Sequence, residues 1–296
     1  MPHLILSNPS TNACDYEVYL SNPFNTTYYK GLRITSTNYG SSTSTVSSYV
    51  VSVLAQSSSS QYVRGKVTSG MSAGRTYTLY AYAQAQNGTW YLAGSDTITT
   101  LNANYAMYPC KVMSISADYN DDYTHLDHSK GYPDGIYDWP WDDNCGDTGR
   151  SYIYCPCDEM EVKRVYGVGD TSKTNTIWLR STTQVKLANG STDYLVMMVI
   201  HPNDDTLQNI SVGDRFTRGQ AMFKEGKEGI SLGYHFHISL GLGSIEGTGW
   251  RNVPDTPYYV IYTTNDPIKP ENALYINSNF TTVIDKKGLN FKYMSF

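Results

Sequence analysis

The stretch Gly233-Tyr-His-Phe-His-Ile-Ser239 holds two histidines that are separated by one phenylalanine. Its aromatic and β-branched residues favour a β-strand. Successive side chains of a strand point to opposite faces, so His235 and His237 share one face and Phe236 takes the other. Two imidazoles on one face suit a metal ligand beside a general base. They also suit a polar strand face without a metal, and the pair alone leaves both interpretations open.

The residues before this pair carry a second pattern. Residues 210–220 read Ile-Ser-Val-Gly-Asp-Arg-Phe-Thr-Arg-Gly-Gln, and residues 225–237 read Glu-Gly-Lys-Glu-Gly-Ile-Ser-Leu-Gly-Tyr-His-Phe-His. Together they resemble the lysostaphin/LytM family of zinc endopeptidases, in which a Val-x-x-Gly-Asp-x-Val-x-x-Gly-Gln hairpin leads through a glycine-rich loop to a His-x-His strand. In that family the second histidine of the pair binds zinc and the first assists catalysis. The resemblance implies that His237 is a zinc ligand and His235 a catalytic residue.

A further histidine ends the apolar run Val196-Met-Met-Val-Ile-His201. The family has a strand that ends in histidine just before the hairpin, usually in a Tyr-x-His-Leu context. Here Pro-Asn-Asp-Asp follows the histidine instead of Leu-Ser, so its surroundings depart from the family pattern. The resemblance implies a catalytic role for His201, and the alternative is a surface histidine at the end of a strand.

The carboxylate ligand of the zinc is inferred from a neighbouring strand. The run Tyr152-Ile-Tyr-Cys-Pro-Cys-Asp-Glu159 resembles the family strand Pro-Val-Tyr-Ala-Pro-Ala-Asp-Gly. Counting back from it, Trp139-Pro-Trp-Asp142 matches the segment that supplies the carboxylate. The resemblance therefore implies Asp142 as the ligand, with Asp143 as the next choice and Asp138 as a weaker one.

The first histidine ligand has two candidates. The run Asp118-Tyr-Asn-Asp-Asp-Tyr-Thr-His125 resembles the opening Gly-Tyr-Asn-Gly-x-x-Ser-His of phage-type members. His128, in His-Ser-Lys-Gly, loosely resembles the His-x-Gly of compact members. We favour His125 over His128. Either choice leaves a longer gap before Asp142 than the family usually has, and so predicts a loop rich in Gly, Pro and Tyr beside the metal.

This set of residues implies hydrolytic chemistry. Zinc held by His125, Asp142 and His237 has three protein ligands and one open position, which is the arrangement of catalytic rather than structural sites. An imidazole with an ordinary pKa near 6.5 can accept a proton from water and return it to a leaving amine, the role expected for His201 and His235. The resemblance implies a zinc metalloendopeptidase that hydrolyses peptide bonds of bacterial peptidoglycan, in the stem or the cross-bridge.

The first hundred residues lack such a cluster and consist of short predicted strands with Ser, Gly and Asn turns. Alternation in Tyr77-Thr-Leu-Tyr-Ala-Tyr-Ala-Gln84, the turn signal Asn87-Gly88 and the strand that starts at Trp90 resemble the last strands of a fibronectin type III-like sandwich. We interpret this part as a spacer or adhesion domain. Leu101–Tyr105 is the predicted linker.

These patterns predict an all-β chain of two domains: an N-terminal β-sandwich at residues 1–104 and an antiparallel β-sheet, lysostaphin-like peptidase domain at residues 105–296. Strands are predicted at 176–180, 193–200 and 235–240, with closing strands at 269–276 and 290–293. The five cysteines, too few and irregular for a disulfide scaffold, are expected to be structural thiols (Cys14, Cys110, Cys145, Cys155 and Cys157).

Charge and hydropathy exclude other functional classes. Residues 1–104 have a net charge of +2 and residues 105–296 one of −7, without the basic stripe of a nucleic-acid binder. The sequence contains no run of about 18 apolar residues, and it therefore predicts no membrane span. The first residues lack the basic region and apolar core of a secretory signal. We therefore expect a phage protein that acts at the bacterial cell wall, either an endolysin or a tail-associated hydrolase in the virion. The competing hypothesis is a phage structural or adhesion protein whose peptidase-like fold is used for binding.

Overall fold

A computed structural model of the chain describes residues 3–20, 30–52, 62–121, 124–125, 138–146, 150–170, 173–229, 231, 233–245, 250–252 and 259–295. The chain divides into two compact units, of which the first ends at Ala103 and the second covers Asn104–Ser295. The boundary predicted after residue 104 differs from this division by one residue. Among the described residues, no helix is long and apolar enough to cross a membrane.

The first unit is built from two antiparallel sheets. One has the strand order β1-β2-β6 and the other the order β4-β8-β7-β3-β5. The turn predicted at Asn87-Gly88 joins β7 to β8, and Gly88 adopts a φ of 89° that favours glycine. The strands of this unit are β1 (His3–Ser7), β2 (Cys14–Tyr19), β3 (Gly31–Thr35), β4 (Ser42–Thr43), β5 (Val50–Ser52), β6 (Tyr62–Val67), β7 (Thr76–Gln84) and β8 (Trp90–Thr99).

Both sheets of the first unit contribute to one apolar core. In β1 and β2 every second residue is buried, which is the pattern of strands with one face in a core and the other in solvent. Leu6 and Val18 of the three-stranded sheet pack in the same cluster as Ile34 and Leu79 of the five-stranded sheet. The unit is therefore the β-sandwich expected from the sequence, whereas its likeness to fibronectin type III domains stays a prediction.

The second unit is centred on an eight-stranded sheet with the order β17-β12-β13-β16-β19-β10-β9-β23. All neighbours in it are antiparallel except β9 and β23, which are parallel. The strands of this unit are β9 (Val112–Ala117), β10 (Trp141–Asp143), β11 (Tyr152–Tyr154), β12 (Glu159–Tyr166), β13 (Thr176–Ser181), β14 (Val185–Lys186), β15 (Thr192–Asp193), β16 (Leu195–Ile200), β17 (Arg215–Thr217), β18 (Ala221–Lys224), β19 (Phe236–Leu242), β20 (Trp250–Asn252), β21 (Tyr259–Ile261), β22 (Tyr275–Asn277), β23 (Thr282–Asp285) and β24 (Lys292–Met294). In the described part of this unit, two helices of one turn each accompany them, α1 (Asp204–Leu207) and α2 (Pro270–Ala273). The prediction of an all-β chain is confirmed.

The central sheet is covered on both faces around β16, whose six residues are all buried. Met197 and Val199 pack in the main core together with Phe236 of β19. Met198 and Ile200 point to the other face, where they pack with Trp178. A strand buried on both faces reads as a continuous apolar run, and this explains why the sequence from 195 to 200 shows no alternation.

Two of the predicted strands differ from the observed elements. The strand expected at 193–200 is interrupted at Tyr194, between β15 and β16. The strand expected at 269–276 was wrong in its first part, because residues 270–273 form α2 before the chain enters β22. Pro270 occupies the first turn of that helix, where a proline has no amide hydrogen to lose and its fixed φ suits the helix.

Candidate metal centre

The register of β10 against β19 places an aspartate opposite a histidine. Asp142 is the cross-strand partner of His237, so the two side chains share one face of the sheet. His237 Nδ1 lies 3.0 Å from Asp142 Oδ1. Both side chains are nearly buried. Phe236, the neighbour of His237 on the other face, packs in the main core, as the alternation of the sequence predicts.

His125 reaches the same point from the chain that follows β9. Its backbone amide donates to the carbonyl oxygen of Asp121, and its side chain is completely buried. His125 Nε2 lies 3.9 Å from Asp142 Oδ2, and its ring lies 5.1 Å from that of His237 between centroids. One donor atom each of His125, Asp142 and His237 lies within 4.8 Å of the other two.

These three residues fit a zinc ion. Two imidazole nitrogens and one carboxylate oxygen are the donor types that catalytic zinc accepts, with a fourth position left open. The three donors are already close together and shielded from solvent. Burial by itself raises the pKa of Asp142. The hydrogen bond from His237 and the charges of His237, His125 and His235 outweigh that effect and hold the pKa of this carboxyl well below its usual range. Asp142 is therefore ready to bind a cation as a carboxylate.

His201 stands at the end of β16 in a backbone conformation that is rare outside glycine, with a φ of 79°. Its amide donates to Asn175 O, and its ring Nδ1 lies 2.7 Å from the carbonyl oxygen of Glu228. A carbonyl oxygen only accepts hydrogen bonds, so Nδ1 must carry the proton and Nε2 must carry the lone pair. Burial first, and then the neighbouring His235 and His237, lower the pKa of His201 to about 3, which keeps the ring neutral.

His235 has the same arrangement on a neighbouring segment. Its Nδ1 lies 3.0 Å from Gly233 O and 3.3 Å from Ser231 Oγ, so the carbonyl again assigns the proton to Nδ1. Its Nε2 lies 3.8 Å from Asp142 Oδ1, and its side chain is the most exposed of those at the centre. The rings of His201 and His235 are 4.8 Å apart between centroids. The neutral ring of His201, with its Nε2 lone pair available, and the ring of His235 thus stand beside the three metal donors.

The three candidate aspartates have different surroundings in the structure. Only Asp142 belongs to the histidine cluster among the described residues. Asp143 follows on the opposite face of β10, where its Oδ1 accepts from the amides of Ser114 and Cys145 and its Oδ2 from the hydroxyl of Tyr108. Asp138 accepts from the amide and hydroxyl of Thr263 through Oδ2. His128, the alternative to His125, and the loop predicted between His125 and Asp142 lie outside the described residues.

Two residues that the sequence did not single out hold His201 in place. Asn175 supplies the carbonyl that accepts from the His201 amide, and its side chain donates to Pro202 O at 3.0 Å. Gly226 passes so close that a Cβ placed on it would lie 2.1 Å from His201 O. The glycine-rich composition of residues 225–233 gave a signal for this close approach, whereas nothing in the sequence pointed to Asn175.

Comparison with known proteins finds distant likeness. No protein-family model and no curated protein matches this sequence. Among solved structures, the chain is similar to a zinc-containing peptidase from Vibrio cholerae at 15% identity and a TM-score of 0.33, over 66% of this chain and 48% of that one. It is also similar to a candidate peptidase M23 from Pseudomonas aeruginosa at 13% identity and a TM-score of 0.27, over 57% of this chain and 69% of that one. The chain thus spans about half the length of the Vibrio cholerae peptidase, and likenesses this slight do not assign it to a family.

Proposed function

We propose that this protein is a zinc metalloendopeptidase of the lysostaphin/LytM type. The observation that carries the proposal is the cross-strand pair of Asp142 and His237, completed by His125 and flanked by His201 and His235. In this proposal His125, Asp142 and His237 hold zinc, and His201 and His235 are the catalytic residues. Three protein ligands leave room for a substrate or water at the ion, and two further imidazoles stand next to it.

The residues around the ion have separate roles in the proposed hydrolysis. When bound, zinc supplies Lewis-acid polarisation of the scissile carbonyl and acidifies the attacking water. The Nε2 lone pairs of His201 and His235 accept the proton of that water and deliver it to the leaving amine. The carbonyl oxygens of Glu228 and Gly233 hold the two rings in the tautomer that this task needs. The protonated imidazole also stabilises the negative charge that develops on the former carbonyl oxygen.

For the substrate, we propose the peptide part of bacterial peptidoglycan, either stem or cross-bridge. The support is the family order of the motifs in the sequence, which runs from the segment ending at His125 to the strand of His235 and His237. We further propose that the protein is phage-encoded and acts at the cell wall, as an endolysin or as part of a phage tail. In that setting the N-terminal β-sandwich, which we take to be fibronectin type III-like, is a spacer or adhesion domain.

A binding protein with an inactive peptidase-like fold is the competing candidate. Such a protein would keep zinc and a wall ligand but would lack turnover. The neutral state of His201 and its pairing with the ring of His235 favour the enzyme, because a purely structural zinc site has no use for two adjacent imidazoles that are not ligands.

The test is incubation of the full chain with purified peptidoglycans of several chemotypes, followed by mass analysis of the released fragments. The enzyme should release fragments with new peptide amino and carboxyl ends and an intact glycan. His235→Ala protein is the matched control and should release none. Zinc-loaded protein that releases no fragment from any chemotype would favour the binding protein. If the protein cleaves a protein substrate but no peptidoglycan, the proposed peptidase activity would stand and peptidoglycan would be rejected as its substrate.

A further inference from the structure

A second group of potential metal ligands lies on the other face of β10. Cys110 lies two residues before β9, Asp143 ends β10, and Cys145 follows Asp143 by two residues. One ligand atom from each of the three lies within 4.8 Å of the other two, and all three side chains are buried. None of them takes part in the histidine cluster, because Asp142 and Asp143 point to opposite faces of their strand.

A fourth potential ligand joins them from β18. Glu225 follows that strand, is completely buried, and its carboxyl is hydrogen-bonded to the thiol of Cys145. Its Oε2 accepts from the amide of Ser151 at 3.0 Å. The Glu225 carboxyl thus contacts Cys145 beside the group of three, although the residues are up to 115 positions apart in the sequence.

The charge in this cluster has one sign. The thiols of Cys110 and Cys145 are hydrogen-bonded to each other, and the carboxyls of Asp143 and Glu225 are buried with them. Four acids in the core are costly unless a cation or protons compensate them. A divalent cation can replace the two thiol protons without changing the net charge of the cluster, and thiolates together with carboxylates are donors that zinc accepts.

We propose that Cys110, Asp143, Cys145 and Glu225 form a second, structural zinc site. Binding exchanges the two thiol protons for one divalent cation, since thiolates are the ligands. Asp143 Oδ2 accepts one hydrogen bond, from Tyr108 at 2.6 Å, and so keeps a second lone pair for the ion. Four protein ligands leave no position for water, which is the mark of structural as opposed to catalytic zinc.

A zinc ion at this site would connect the chain segments that carry the histidine cluster. It ties the chain before β9 to the end of β10, and the residues between them carry His125 and Asp142. It ties both to Glu225, whose neighbour Gly226 forms a β-bridge with His235. One ion behind the sheet would therefore fix the three segments that carry the histidine cluster on its front.

The experiment is metal analysis of the full chain together with absorption spectra after replacement of zinc by Co²⁺. We expect two metal ions per chain and a thiolate-to-cobalt charge-transfer band in the near ultraviolet. Cys110→Ser and Cys145→Ser should each lose one ion and the band. Cys14→Ser and Cys155→Ser, which change equally buried thiols elsewhere, should keep both.

The result of this experiment does not depend on whether the histidine cluster binds zinc. His237→Ala should retain the thiolate band even though it removes the ion at the histidine cluster, so each proposal can fail alone. The cobalt spectrum of the unaltered protein decides the matter if the cysteine variants do not fold. Absence of the band in that spectrum, or a Cys110–Cys145 disulfide found by mass analysis of the purified, unreduced protein, would overturn the second site.

Discussion

At the scale of single residues, backbone carbonyls decide what the two outer histidines can do. Glu228 O and Gly233 O each accept from an imidazole Nδ1, and the neutral ring of His201 therefore has its lone pair at Nε2. A ring that donated through Nε2 instead would have no lone pair at that atom. The hydrogen bonds therefore fix the orientation of both rings and turn their Nε2 atoms away from these carbonyl oxygens.

We expect His201→Ala and His235→Ala to retain zinc at the histidine cluster and to lose peptide-bond cleavage. A positioned general acid–base group contributes typically about 10²–10⁴-fold to the rate. The measurement pairs metal content with the initial rate on a soluble muropeptide, and His3→Ala, a change in β1 of the first unit, is the control. Near wild-type turnover in either variant would remove that histidine from the mechanism, and loss of zinc with activity would make it a ligand.

The choice among the aspartates shows what the sequence could decide at this scale. The order of motifs pointed to Asp142, and the register of β10 with β19 places Asp142 opposite His237. Asp143 faces the core instead, and Asp138 is hydrogen-bonded to Thr263. A run of acids gives no sign of which one faces a histidine until the strand pairing is known. The cluster of Cys110, Asp143, Cys145 and Glu225 is hidden for the same reason, because only folding brings it together.

At the scale of elements, the segment that leads from β18 to β19 has to pass close to the end of β16. The amide of Glu228 donates to His201 O at 3.1 Å, and that of His235 to Gly226 O at 3.3 Å. At position 226 a Cβ would meet His201 O at 2.1 Å and Asn203 N at 2.4 Å. These contacts are with backbone atoms, which cannot rotate away, so the approach requires glycine.

We expect Gly226→Ala to displace the end of β16 and to lower both stability and activity. Overpacking a closely packed site costs typically about 1–3 kcal/mol, and here it moves the backbone that carries His201. Gly233→Ala is the matched control, since a Cβ at position 233 meets nothing within 4 Å. Urea unfolding and turnover should be compared for the two variants. Equal behaviour of both would show that the close approach at Gly226 is not required.

Secondary structure could be predicted from the sequence where one pattern dominates. Alternation around Phe236 gave the faces of β19, and the apolar run that ends before His201 gave the strand observed as β16. The prediction failed at 270–273, where the proline that starts α2 was included in a strand. Strand order was not predicted at all, because hydrogen-bonded neighbours such as β10 and β19 are almost a hundred residues apart.

At the scale of the whole molecule, the chemistry is confined to the second unit. Within the described residues, every proposed ligand and base lies in Asn104–Ser295. The hydrogen bonds of Asn104 are made within that unit. Its side-chain oxygen accepts from the amide of Asp158 and from the guanidinium of Arg218. A cut that separates the units should therefore come before Asn104.

We expect residues 104–296 alone to cleave a soluble muropeptide at the rate of the full chain, and residues 1–103 to cleave nothing. A domain with its own apolar core can fold by itself, and each unit has one. On intact wall the truncated enzyme should be slower if the first unit binds the wall and raises the local concentration. A folded but inactive 104–296 fragment would mean that the two units share one active site.

The central claim is that His125, Asp142 and His237 hold one catalytic zinc ion, and its most direct test is the zinc content of their single alanine variants. Each of the three should lose the ion from this cluster, because a site with two remaining ligands binds zinc weakly, whereas His128→Ala should retain it. Circular dichroism of the same samples establishes that they are folded. Full retention of zinc in folded His237→Ala would contradict the account, and loss of zinc in His128→Ala with retention in His125→Ala would reassign the first ligand.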